Sequence, residues 1–148
     1  MITYINEIST EDYAILRASA GWRALSPLQA EKALRSSAFL VVAKDGEHTV
    51  GMTRLMSDGG YFAVVLDVVV LPDYQERGIG REMLTRLVAH LKSGLQPGEH
   101  SYTTLTCPPD KPGFYEKMGF HALPNEEEGP GLVMRLVGEP EDITTKEL

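Results

Sequence analysis

Two kinds of hydrophobic patterning divide the chain. Apolar, β-branched runs at Phe39–Ala43, Thr49–Met56 and Tyr61–Leu71 read as strands. The first two are joined through Asp45-Gly46, and the last two through Ser57-Asp58-Gly59-Gly60. After Pro72 the period changes. Ile79, Met83, Leu84, Leu87, Val88 and Leu91 recur at helical spacing, so Gly78–Lys92 is an amphipathic helix. Ahead of the hairpin lie a short strand, Ile2–Ile8, and two helix starts. Ser9, Thr10 and Asp12 open the first, with Tyr13, Ile15, Leu16 and Ala20 on its apolar side. Ser26, Pro27 and Gln29 open the second, which runs to Ser36. Ser101–Thr106 is a further strand candidate, Gly113–Lys117 a short helix ended by Gly119, and Phe120–Leu123 and Leu132–Val137 two closing strands. The order β-α-α-β-β-β-α-β-α-β-β describes an α/β protein with a single mixed sheet flanked by helices. Residues 1–137 form one domain in this reading, and the acidic stretch 138–148 is a loosely held tail.

Composition narrows the function classes. A chain of 148 residues with 43% hydrophobic side chains holds one sizeable core. Its net charge of −7 disfavours a grip on nucleic acid, which requires Lys and Arg against phosphates, and suits a cationic small ligand. Cys107 is alone, which excludes an intrachain disulfide and a cysteine zinc cage, and the four histidines show no metal spacing. The longest apolar runs, Phe62–Leu66 and Val68–Leu71, are too short to span a bilayer and are interrupted by Asp67. MITYINEIST is not a signal peptide. The expectation is a cytoplasmic protein with no metal and no membrane partner.

The chemistry concentrates between Leu66 and Arg81, where a buried strand runs through a turn with Gly78 and Gly80 into a helix. Unpaired N–H groups and the helix dipole make such a start an anion site, and glycine lets the backbone approach a phosphate. Arg77 and Arg81 add positive charge. The Rossmann fingerprint fails because Met83 stands where a third glycine is needed. The P-loop fails because Met52-Thr53 follows Gly51 in place of Lys-Ser/Thr. On the strand–glycine–helix pattern alone, a purely structural turn remains open.

Gln75-Glu76-Arg77-Gly78-Ile79-Gly80 resembles the Gln/Arg-x-x-Gly-x-Gly/Ala signature of the GCN5-related N-acetyltransferases (GNATs). Gly113-Phe114-Tyr115-Glu116-Lys117-Met118-Gly119-Phe120 is similar to that family's Phe-Tyr-x-x-x-Gly-Phe segment. The resemblance covers Ile2 to Val137 and implies a GNAT-like acyl-CoA N-acyltransferase fold with acetyl-CoA as cosubstrate. It implies that Val68, Val69 and Val70 pair with the pantetheine arm, and that Gln75 through Arg81 bind the pyrophosphate. Tyr115 matches a tyrosine that protonates the leaving thiolate, and Phe114 and Lys117 fall along the cofactor path. Pro108 stands where many members carry Asn, which puts one cofactor contact in doubt.

The implied reaction is direct attack of a primary amine, expected to be a small cationic molecule, on the thioester in a ternary complex. Asp67, ionisable inside an apolar strand, is the candidate base or amine anchor, against the plainer reading of a hydrogen-bonded structural carboxylate. For Tyr115 the plainer reading is a packed aromatic, and for Trp22 a lid on the core rather than a substrate platform. Glu126-Glu127-Glu128 reads as a solvated turn more readily than as an acidic recruiting rim. A protein or peptide amine is the runner-up acceptor. A non-catalytic acyl-CoA-binding module is the alternative class, and a homodimer is a further expectation.

Overall fold

The computed structural model describes residues 1–140, and most of the expected tail, 141–148, lies outside them. Five strands form one sheet in chain order: β1 (Ile2–Ile5), β2 (Phe39–Asp45), β3 (His48–Ser57), β4 (Phe62–Val70) and β5 (Tyr102–Thr104). The helices are α1 (Thr10–Ser19), α2 (Pro27–Arg35), α3 (Ile79–Ser93) and α4 (Pro112–Lys117). β1 to β4 pair antiparallel, whereas β4 and β5 are parallel and need the α3 crossover between them.

Alternation along β2 sends Val41 and Ala43 to one face of the sheet and Val42 to the other. On the first face they meet Ile79, Met83, Leu84 and Leu87 of α3. On the second, Val42, Met52 and Val69 meet Tyr13 and Leu16 of α1 and Ala30 of α2. Both early helices start as their sequence dictates, with Ser9 and Ser26 hydroxyls accepting from the N–H groups of Asp12 and Gln29 at 3.1 Å each. α1 stops at Gly21, whose φ of 74° lets Gly21 N–H reach the Ala18 carbonyl and Trp22 N–H the Arg17 carbonyl. That stop sets Trp22 beside Arg17.

Several expected strands are shorter or missing. β1 ends at Ile5, paired with Val42, and the Asn6 side chain then donates to the Leu40 carbonyl at 2.7 Å. β5 keeps only three residues of the expected Ser101–Thr106. The closing strands expected at Phe120–Leu123 and Leu132–Val137 do not form. Phe120 instead ends α4: its N–H bonds the Tyr115 carbonyl and Gly119 N–H bonds Glu116, both at 3.1 Å, with Gly119 at φ 102°. Leu132–Val137 is apolar at every position but Arg135 and has no strand to pair with among the described residues. No helix among them is long and apolar enough to cross a membrane.

Candidate active site

β5 accompanies β4 only from Phe62↔Tyr102 to Val64↔Thr104. From Val65 onward no strand pairs with that side of β4 among the described residues, so its backbone donors and acceptors are open to an extended ligand up to the Val70 carbonyl, which the Gln75 side chain takes. The other edge is bulged. Met52 pairs with Val69 and Arg54 with Leu66, so Thr53 alone opposes Asp67 and Val68. Asp67 takes a φ of 53°, a left-handed conformation that Asp tolerates better than most residues. Thr53 Oγ1 donates to the Leu66 carbonyl at 3.1 Å, bridging the interrupted ladder.

The bulge aims Asp67 at three donors. Oδ2 accepts from Tyr13 Oη at 2.5 Å and from Arg54 Nε at 2.6 Å, and Oδ1 meets Arg17 Nη1 at 3.4 Å. All three charged side chains are nearly enclosed, between 12% and 15% exposed. Burial first, then the hydrogen bond to Asp67, pushes the Tyr13 phenol up, which keeps it a donor. Both carboxylate oxygens are thus engaged in holding Tyr13, Arg54 and Arg17. The geometry fits the plainer reading of Asp67, a hydrogen-bonded structural carboxylate. Its partners were not evident beforehand, although Arg54 carries the same signal as Asp67: a charge inside an apolar strand.

The glycine turn lies at the other end of β4. A 3-10 turn, Pro72–Tyr74, redirects the chain, and Gln75 Nε2 donates back to the Val70 carbonyl at 3.0 Å. Glu76 at φ 62° and Gly78 at φ 79° both take left-handed conformations, and Gly78 caps α3 without a side-chain bond. The N–H groups of Ile79, Gly80 and Arg81 therefore have no helical acceptor and sit at the positive end of the dipole. The Ile79 side chain is buried in the core, so only its amide can serve a ligand. A Cβ on Gly78 would meet nothing within 4 Å, which leaves the approach clear. Arg77 lies over the Tyr74 ring at 4.8 Å, and Arg81 is exposed at the rim. These groups fit a diphosphate.

The two sequence motifs meet at Gly80. A Cβ there would stand 3.5 Å from the Phe114 ring and 3.9 Å from Val70 Cγ2, so the turn, β4 and α4 converge on one point. Val68 and Val70 face the α3 side of the sheet there, and Val69 faces α1. Tyr115 follows Phe114 and is 8% exposed, with its ring edge-on to Phe114 and Phe120 at 5.1 and 6.1 Å. Burial, with a lesser push from Cys107, raises the Tyr115 phenol to about 12, so it is protonated at any working pH. Lys117 is exposed on α4.

The remaining candidates take the plainer readings. Trp22 is half-buried, with the Arg17 guanidinium 5.5 Å above its ring. Asn125 Oδ1 accepts from the N–H groups of Glu127 and Glu128 at 2.9 Å, so the acidic run is a turn. No three His, Cys, Asp or Glu side chains cluster as metal ligands among the described residues.

Comparison with known proteins decides the family. The Acetyltransferase (GNAT) domain matches residues 35–122, from the end of α2 to just past α4. The chain belongs to the GNAT family. The uncharacterized N-acetyltransferase ycf52 of Pyropia yezoensis is 36% identical over 116 residues, covering 75% of this chain and 64% of that protein. The chain thus spans just under two thirds of that relative's length. Serotonin N-acetyltransferase 2, chloroplastic, of Oryza sativa subsp. japonica is 40% identical over 81 residues, covering 54% of this chain and 38% of that protein. Among solved GNAT-like structures, a probable acetyltransferase from meticillin-resistant Staphylococcus aureus superposes with a TM-score of 0.81 at 27% identity, covering 92% of this chain and all of that one. A GNAT family protein from Streptococcus pneumoniae gives 0.77 at 30% identity, over 92% of this chain and 98% of its own. The single mixed sheet flanked by helices is the GNAT fold, and the family uses acetyl-CoA as its cosubstrate.

Proposed function

We propose that the chain transfers the acetyl group of acetyl-CoA to a small primary amine, both substrates being held in one ternary complex. The observation that carries this is the convergence at Gly80, where the start of α3, the Val70 side chain of β4 and Phe114 of α4 meet. When bound, acetyl-CoA supplies an acyl group activated as a thioester. The amides of residues 76–81, with Arg77 and Arg81, hold the pyrophosphate. The free side of β4 from Val68 to Val70 aligns the pantetheine arm and presents a backbone donor to the carbonyl oxygen.

Tyr115 donates toward the departing sulfur. A phenol near 12 holds its proton far more tightly than a thiolate of ordinary thiol pKa, about 8.5, can take it, so Tyr115 donates a hydrogen bond that stabilises the charge developing on sulfur and CoA departs as the thiolate. Asp67 holds Tyr13, Arg17 and Arg54 together between α1 and the sheet. Water then carries away the amine proton. The net charge of −7 favours approach of a cationic amine, which reacts as its neutral form. The rice relative's name, a serotonin N-acetyltransferase, supports an amine of that size.

The test is thiol release from acetyl-CoA against a panel of arylalkylamines, polyamines and a lysine peptide. Release that saturates with a small amine is expected. Release only with the peptide moves the acceptor to protein amines, which the name of the Glycine max relative, Histone acetyltransferase TAP1, makes the second reading. No amine-dependent release, with acetyl-CoA still bound, leaves an acyl-CoA-binding module.

A further inference from the structure

The turn between β4 and α3 carries one residue that an anion site does not call for. Along 75–78 the backbone alternates in hand: Gln75 has φ −70°, Glu76 62° and Gly78 79°, with Arg77 outside the left-handed region. Such alternation turns successive N–H groups to one side and makes a concavity for an anion. Gly78 takes its left-handed place at no steric cost. Glu76 does not, because outside glycine that conformation is tolerated chiefly by Asn, Asp and His. A strained acid therefore stands where the amides are free for a negatively charged ligand.

Nothing on the chain neutralises that acid. Glu76 is exposed and belongs to no ion pair among the described residues. The neighbouring Arg77 guanidinium lies over the Tyr74 ring at 4.8 Å, and Tyr74 Oη is fixed by donating to Asp45 Oδ2 of β2 at 2.7 Å. Glu82, in the first turn of α3, is by contrast paired with Arg86 at 2.9 Å. A glutamate side chain is shorter than the Debye length of about 8 Å at physiological ionic strength, so in any rotamer its charge is felt at the amides of its own turn.

Resting on the reading of this turn as the diphosphate site, we propose that Glu76 is a like charge built into that site, which weakens the hold on acetyl-CoA and on the product CoA alike. Both molecules carry the diphosphate, so the repulsion acts before and after acetyl transfer by the same factor. It is uniform binding, which moves KM and leaves the chemical step alone. Its consequence is relief from product inhibition: CoA keeps every contact that the turn makes with acetyl-CoA, and Glu76 loosens them. Across about 8 Å of water, one carboxylate against a doubly charged diphosphate amounts to a factor of about six before screening.

The test is calorimetry of the full chain with acetyl-CoA and with CoA, comparing the native protein, Glu76→Gln and Glu76→Lys. Gln keeps the length and the backbone demand of Glu, so only the charge is removed. At about 20 mM salt, affinity should rise about three- to sixfold in Glu76→Gln and further in Glu76→Lys, by the same factor for both ligands. At about 0.5 M salt the three proteins should agree within about twofold. In steady-state assays, KM for acetyl-CoA and the inhibition constant of CoA should fall together. Equal affinities at low salt, or weaker binding in Glu76→Gln, overturn the proposal while the diphosphate reading stands, since acetyl-CoA is still bound and Gly80→Asp still abolishes it. A gain that persists undiminished at high salt assigns the effect to conformation and overturns it equally. Native protein and variants that all give no heat with acetyl-CoA overturn the diphosphate reading, and this proposal with it.

Discussion

Replacing Asp67 with Asn separates a structural carboxylate from a catalytic one. Asn tolerates the φ of 53° and can still accept from Tyr13 Oη, so backbone and shape are retained. What disappears is the negative charge between Arg54 Nε at 2.6 Å and Arg17 Nη1 at 3.4 Å, both arginines being 15% exposed or less. Removing one partner of an enclosed ion pair leaves the others uncompensated and costs about 3–5 kcal/mol. The retained hydrogen bonds hold the Asn variant near the lower end. At roughly 2–4 °C per kcal/mol for a chain of this size, its melting temperature should fall by on the order of 10 °C. Asp67→Ala should fall further, because left-handed backbone costs a residue without a polar side chain about 1–2 kcal/mol more. Thermal melts by circular dichroism read the stability. A pH–rate profile, taken where both proteins are folded, reads the chemistry and should keep its shape. A base would behave in the opposite way. If Asp67→Asn melts like the native protein while turnover drops about 10²–10⁴-fold and the acidic limb of the profile vanishes, the structural reading is wrong.

Three further outcomes follow from the same geometry. Tyr115→Phe should lower turnover about 10²-fold while leaving acetyl-CoA affinity within about twofold, and unchanged turnover would remove the donor role. Gly80→Asp should abolish acetyl-CoA binding by placing bulk and negative charge at the amides of α3, while its Cβ, 3.5 Å from the Phe114 ring, is accommodated without unfolding; a variant that still binds by calorimetry would move the pyrophosphate elsewhere. Tyr115 also sets an alkaline limit: its phenol is raised to about 12 in the folded chain, so the stability it contributes is intact below about pH 10 and is lost as the pH rises toward 12. Melting temperatures should therefore decline more gently across that window in Tyr115→Phe than in the native protein, and equal slopes would contradict the burial of the phenol.

Much of this was legible in the residues because the signals were local. Ser9 and Ser26 announce their caps, Gly78 its left-handed turn, and the spacing of Ile79, Met83, Leu84 and Leu87 the buried side of α3. The two motifs that meet at Gly80 and Phe114 were each visible in sequence, although their 3.5 Å approach needed the fold. What stayed hidden depends on pairing across the chain. Arg54 reaches Asp67 only because the bulge at Thr53 shifts the register of β4, and a shift of one residue leaves no trace in composition. Leu132–Val137 is an apolar run that reads as a strand, yet a strand exists only with a partner, and the run names none among the described residues. Phe120 sits in an apolar run that reads as β, and the Gly119 stop of α4 takes it first.

The central claim is that the turn at Gly78–Gly80 and the edge of β4 form an acetyl-CoA site. A calorimetric titration of the full chain with acetyl-CoA, with NADH as the control ligand, tests it most directly. The account predicts saturable heat at one acetyl-CoA per chain, lost in Gly80→Asp, and no response to NADH. Folded native protein that gives no heat with acetyl-CoA, or that takes up NADH equally, would contradict it.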